Sequence, residues 1–220
     1  MIPKIIHYIW FGDQNRKPQK RIDSWKMVLP DWEFKEWTED TLDLNKYSYV
    51  RAAYDMKRYG ICIDPFRPYL LYTYGGIWFD TDVNVYKDFS EFLDCSLLVG
   101  CHYNLGVSLG VLGSEPNHSL MKRNVEWYEE RWTKSTIQFD DATATTFAAV
   151  HGSQNAPEPI FRSLMRQIYG VTPPRDTQDI KTTDGILRFK APHILTTRLK
   201  SYPEINYAEH LYEGSWRRAP

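Results

Sequence analysis

Tyr74-Gly75-Gly76-Ile77-Trp78-Phe79-Asp80-Thr81-Asp82-Val83 is the stretch that decides how the rest of the chain is read. Residues 77–79 are β-branched or aromatic, and a short apolar run of this kind is the signature of a buried strand. The run ends abruptly at two carboxylates one residue apart. The paired glycines ahead of it suit a helix end followed by a tight turn, because glycine enters the left-handed region at little cost. The pattern predicts helix, turn, buried strand, and then Asp80 and Asp82 delivered at the strand's C-terminal end. In open α/β sheets that end is where ligands bind. Two residues apart on an extended chain, the carboxylates share a side. Their repulsion calls for a cation, and oxygen-rich sites suit magnesium, manganese or calcium. A bare Asp-x-Asp is common, and its plain alternative is a solvated turn in which Asp80 caps a neighbouring amide. The glycine pair, apolar strand, acidic pair and resumed alternation at Val83 and Val85 are together much rarer.

Upstream, Asp64 followed by Pro65 is an N-cap and N1 pair, which predicts a helix beginning there and running to Tyr74. Pro68 loosens its first turn. Asp64 and Arg67, three residues apart, lie on one side of the helix start and can both face a cleft; capping alone is the other reading of Asp64. Residues 49–59 predict a second helix with Gly60 as its C-cap. Residues 4–10 read as a buried strand ending at Phe11-Gly12-Asp13, with His7 as a satisfied core histidine. Residues 18–29 carry Ile22, Trp25, Val28 and Leu29 on one face of a helix stopped by Pro30, and 32–37 form the next strand. A chain that starts this way suits a doubly wound α/β sheet.

Downstream, residues 83–86, 97–100 and 107–112 are extended, and a long helix runs from Asn117 through Trp132 with His118 at its start. Residues 160–168 form another helix, 173–183 a polar connector, and 186–189 and 193–195 late strands. Asp140 and Asp141 read as caps, an acceptor-binding carboxylate being the alternative.

The 220 residues suggest one domain, long enough to bury about 70% of its extended surface. The aromatic content of 15%, with eight Trp and fifteen Tyr, leans toward a sugar or base ligand. A net charge of −1 gives no basic field for nucleic acid. Cys62, Cys95 and Cys101 show neither metal spacing nor a paired framework, which fits a reducing compartment. No apolar stretch approaches the roughly 20 residues that span a bilayer, and the N-terminus lacks the features of a signal peptide. The expectation is a cytoplasmic protein with at most peripheral membrane association.

The segment Asp64-x-x-Arg67-x-x-x-Leu71-x-x-x-Gly75-Gly76-Ile77-Trp78-Phe79-Asp80-Thr81-Asp82 resembles the core signature of glycosyltransferase family 32. Ile2-Pro3-Lys4-Ile5-Ile6-His7-Tyr8-Ile9-Trp10-Phe11-Gly12 and the closing Gly214-Ser215-Trp216 are similar too. The resemblance implies a GT-A fold, a Rossmann-like mixed sheet flanked by helices. It implies a single glycosyltransferase domain, with a nucleotide-sugar-binding half over 1–100 and an acceptor-side half over 101–220 that includes a metal- and diphosphate-binding tail. It implies a manganese or magnesium ion on Asp80, Asp82 and His210, with Leu211 in place of the family's second histidine. On the residues alone Glu213 competes as third ligand. Asp64 and Arg67 would contact the donor sugar and help place its diphosphate, alongside a catalytic Asp80 and Asp82. Trp10 would stack on the base, Ser215 and Trp216 would contact the diphosphate, and Ile9, Gly75, Gly76 and Thr81 would complete the donor-binding set. Pro65 and Pro68, and Ile63 where a serine is common, depart from the family pattern.

The implied chemistry is transfer of a hexose from a UDP- or GDP-sugar to a hydroxyl of a glycan or lipid-linked glycan, with retention; related toxins modify proteins. A sugar nucleotidyltransferase or nucleotide-sugar hydrolase is the enzymatic alternative, although Phe11-Gly12-Asp13 is too poor in glycine for a phosphate loop. A non-catalytic nucleotide-sugar-binding module is the third.

Overall fold

A computed structural model describes residues 1–101, 106–132, 157–174, 176–195 and 206–211. In chain order the elements are β1 (Ile5–Ile9), α1 (Gln19–Val28), β2 (Glu33–Trp37), α2 (Ser48–Asp55), α3 (Tyr59–Tyr74), β3 (Gly76–Phe79) and β4 (Val83–Val85). They continue with β5 (Leu97–Gly100), β6 (Ser108–Ser114), α4 (Ser119–Trp132), α5 (Pro157–Tyr169), β7 (Gln178–Thr182), β8 (Gly185–Lys190), α6 (Pro192–Leu195) and β9 (Ala208–His210).

Seven strands form one sheet in the order β2-β1-β3-β6-β5-β8-β7. β1 runs parallel to β2 and β3, as does β5 to β8, while β3–β6, β5–β6 and β7–β8 are antiparallel. The central strands read as continuous apolar runs because both faces are covered. Alternation decides which side chain goes where: Trp78 joins the core under α2–α5, while Ile77 and Phe79 join the opposite core with Ile6, Trp25 and Phe89. A separate two-stranded ribbon pairs β4 with β9, opposing Val83 to His210.

The strands expected at 4–10, 32–37, 77–79, 97–100, 107–112 and 186–189 all form, within a residue or two of those bounds. His7 is a satisfied core residue: Trp37 Nε1 donates to its Nδ1 (3.1 Å), so Nε2 carries the proton and donates to the Gly75 carbonyl (2.8 Å). Asp64 does not cap a helix. α3 begins five residues earlier, at Tyr59, and Asp64, Pro65 and Pro68 lie inside it. An internal proline costs roughly 3 kcal/mol. Burial of Ile61, Phe66, Leu70 and Leu71, at roughly 1.5–3 kcal/mol each, outweighs that local punctuation. Nor does Gly60 end the preceding helix; Lys57, in the left-handed region (φ 58°), turns the chain after α2.

Residues 178–182, expected as connector, form edge strand β7, whose polarity follows from its exposure. Residues 193–195 belong to α6, with Pro192 at its first position, rather than to a strand. The cap reading of Asp140 and Asp141 lies outside the described residues. Among the described residues no helix is long and apolar enough to cross a membrane.

Candidate active site

β3 is short, and the turn after it is held by neighbouring strands. The Asp80 N–H donates to the Gly110 carbonyl of β6 (2.9 Å), and the Val83 N–H closes a turn onto the Asp80 carbonyl (3.0 Å). That turn separates Asp80 from Asp82 and starts β4, so the pair does not continue one straight strand. β9 then lies against β4, and the Leu211 N–H donates to the Asp82 carbonyl (3.0 Å). His210, about 130 residues along the chain, is thereby laid beside both carboxylates.

Its Nε2 lies 3.0 Å from Asp82 Oδ1 and 3.5 Å from Asp80 Oδ2. One ligand atom from each of the three residues falls within 4.8 Å of the others. Magnesium-sized ions bind oxygen at about 2.0–2.1 Å in octahedral geometry, so adjacent ligand atoms stand about 3 Å apart. Two carboxylate oxygens and an imidazole nitrogen at these separations fit magnesium or manganese in spacing and in chemistry.

The rest of the site orients Asp80. Trp78, two residues earlier on the same strand face, donates from Nε1 to Asp80 Oδ1 (2.7 Å). Arg67 Nη2 reaches the same oxygen (3.3 Å), while its Nη1 lies 3.7 Å from Asp64 Oδ1 and its guanidinium 5.2 Å from the Trp78 ring centre. With Oδ1 so engaged, Oδ2 is the oxygen presented to His210. Sequence reasoning missed Trp78 as a site residue, although its period-2 relation to Asp80 was available. It also missed Gly110, for which nothing local gives a signal: a Cβ there would stand 2.5 Å from His210 Nδ1.

Charge follows this geometry. Burial alone would lower His210, but the Asp82 hydrogen bond and the charges of Asp80 and Asp82 outweigh it and raise its pKa. Asp64 is pushed up to about 8 by burial, against the Arg67 guanidinium that favours its ionised form. Arg67 is itself buried, which disfavours its charge, yet Asp80 and Asp64 raise it further.

Asp80, Asp82, His210, Arg67 and Asp64 converge. Trp10 stands half-buried just past the end of β1, whose parallel register on β3 (His7 opposite Trp78) puts Trp10 and Asp80 on the same edge of the sheet. Its indole donates to the Asp13 carbonyl (3.1 Å). Thr81 sits between the two aspartates, partly exposed. Ile9 is 2% exposed and spends its side chain on the core. Gly75 and Gly76 are not brought to the carboxylates. They close α3 and open β3 at its other end, as the sequence predicts, with φ of 64° and 101° and with Pro116 or the Ile5 carbonyl 2.5–2.6 Å from where a Cβ would stand. Ser215, Trp216 and Glu213 lie outside the described residues.

Residues 15–98 match the family described as "Glycosyltransferase sugar-binding region containing DXD motif". Inositol phosphoceramide mannosyltransferase 3 of Schizosaccharomyces pombe is 31% identical over 127 residues, covering 54% of this chain and 35% of that protein. Mannosyl phosphorylinositol ceramide synthase CSH1 of Saccharomyces cerevisiae is 25% identical over 160 residues, covering 68% and 42%. The chain thus spans less than half the length of these relatives. Among solved structures, the PaToxG glycosyltransferase superposes with a TM-score of 0.52 at 15% identity, over 76% of this chain and 69% of that one, a likeness of fold. Residues 15–98 of this chain are thus similar to the sugar-binding region of DXD-containing glycosyltransferases, and the sheet shares its fold with a solved glycosyltransferase.

Proposed function

We propose that the chain transfers a hexose from a nucleoside-diphosphate sugar to an acceptor hydroxyl, with a divalent cation held by Asp80, Asp82 and His210. The convergence of those three side chains at the ligand-binding edge of the sheet carries the reading. The relatives' names support mannose as the sugar and a glycan or inositol-phosphoceramide-like lipid as the acceptor class.

In the reaction the bond from the anomeric carbon to the diphosphate oxygen breaks, a bond to the acceptor oxygen forms, and the acceptor proton is released. The transition state has oxocarbenium character while negative charge gathers on the diphosphate. A bound divalent ion supplies Lewis-acid charge for that leaving group. The chain's own residues prepare the ground. Trp78 and Arg67 fix Asp80, and Arg67 and Asp64 place a guanidinium and a carboxyl next to the cation ligands, where a donor sugar lies. Trp10 offers an aromatic face on the same sheet edge for the base. Retention completes the proposal and rests on the resemblance to family 32.

Incubation with manganese and a panel of GDP- and UDP-sugars, with glycan, lipid and protein acceptors, tests this. The expected result is metal-dependent release of the nucleoside diphosphate with a new glycosidic bond. Pyrophosphate exchange, hydrolysis without transfer, or no turnover with any donor would each replace the proposal by a different one.

A further inference from the structure

We infer that Arg21, with Asn84, Tyr86 and Glu209, forms a polar brace that fixes the two separate chain segments carrying the cation ligands; the inference rests on the metal-site reading above. Arg21 comes from α1, far from the site in sequence. Its Nη1 donates to the carbonyl of Thr81 (3.0 Å), the residue between the two aspartates, and its Nε donates to Asn84 Oδ1 (3.2 Å). Asn84 Nδ2 reaches the Tyr86 hydroxyl (3.5 Å), which donates to Glu209 Oε2 at 2.6 Å. Glu209 immediately precedes His210 and is 7% exposed. One connected path therefore runs from the turn that carries Asp82 to the strand that carries His210.

The geometry gives the path a purpose. The Thr81 carbonyl and the Asp82 N–H belong to one rigid peptide plane, so holding the carbonyl orients the Asp82 backbone and the direction in which its side chain leaves. A hydrogen bond from a charged donor is among the stronger ones in proteins, enough to select one orientation of a partly exposed turn. One helical turn along α1, Trp25 donates to the Val83 carbonyl (2.7 Å), so the helix grips β4 at two successive points. On the other limb, the strong Tyr86–Glu209 bond ties β4 to β9 beyond what their short ladder of three residue pairs provides. Arg21 is thus a positioning residue, acting on the ligand pair through the Thr81 carbonyl and Asn84.

The test is direct manganese binding to the full chain without donor, followed by the loss of free Mn(II) paramagnetic signal, with thermal unfolding measured in parallel. Removing an outer-shell partner typically costs 10–100-fold in metal affinity. Arg21→Ala should fall in that range. Arg21→Lys, which keeps the charge but cannot span both acceptors, should be intermediate. Tyr86→Phe, isosteric apart from the hydroxyl, should weaken binding several-fold, and because the two act through one path the double variant should lose less than the product of the single effects. If Arg21→Ala does not fold, Tyr86→Phe decides. Manganese affinity within twofold of wild type in these variants, while Asp82→Asn loses binding, would overturn the brace and leave the metal site standing. Failure of the wild-type chain to bind manganese would overturn both.

Discussion

Asp82 and His210 stand 3.0 Å apart, and without a metal the proton on the imidazole is what reconciles them. The raised His210 pKa means that a divalent ion must displace that proton, so metal affinity should strengthen as pH rises through the histidine's titration. Gly110 sets where the imidazole can lie. Its φ is ordinary, so Gly110→Ala is conformationally allowed, yet the new methyl would sit 2.5 Å from His210 Nδ1. Overpacking of this kind costs about 1–3 kcal/mol. We expect Gly110→Ala to remain folded, with a melting temperature lower by about 2–10 °C, and to lose manganese affinity by at least about tenfold. Unaltered manganese binding in a folded Gly110→Ala protein would show that the histidine's seat on β6 is irrelevant to the site.

At the scale of elements, β1 is buttressed by a histidine that must stay neutral. Burial lowers the His7 pKa to about 4, with Lys35 adding to the effect and the Gly75 carbonyl and Glu33 opposing it. Protonation would also turn Nδ1 into a donor facing the donor indole of Trp37. The folded pKa lies below the unfolded value, so the stabilising contribution is complete above about pH 6.5 and is lost as pH falls toward 4. The gap from 6.5 to about 4 corresponds to about 3 kcal/mol. His118, buried at the start of α4, is lowered in the same sense. His210 has the opposite sign, contributing below pH 6.5 and losing that contribution as pH rises through its folded value. Urea midpoints of the metal-free chain should drop between pH 6.5 and 4, less steeply for His7→Gln, which keeps a donor and an acceptor. A His7→Gln profile parallel to wild type would refute this account of β1.

For the whole molecule, the metal site joins segments that local structure leaves apart, so ligand binding should stabilise the fold globally. Manganese at about 100 times its dissociation constant adds about 2.7 kcal/mol, which for a chain of this size raises the melting temperature by about 5–10 °C. Asp82→Asn removes a charge worth about 8 kcal/mol against a divalent ion at about 4 Å and an effective dielectric of about 20, more than a thousandfold in affinity. It should therefore abolish the shift while leaving the metal-free melting point nearly unchanged. A manganese-induced shift of equal size in Asp82→Asn would place the ion elsewhere.

Strand periods and the acidic pair were legible in the residues themselves. An apolar run of three ending at Asp80 has one way to be buried, and period-2 alternation then assigns Trp78 and Asp80 to one face. The start of α3 was not legible, because Asp64-Pro65 signals a helix start locally and only the apolar face packed beneath α4 overrides it. Strand β7 was hidden for a related reason: an exposed edge strand has no apolar pattern to display. By itself the sequence determined the mixed α/β order and the presence of two carboxylates at the end of a buried strand. The tertiary structure decided their partners, because Gly110 and His210 reach the aspartates, and Arg21 reaches the Thr81 carbonyl between them, only through the pairing of β3 with β6, the pairing of β4 with β9, and the packing of α1 on β4. Contacts across such separations depend on strand order and register, which no local window of residues encodes.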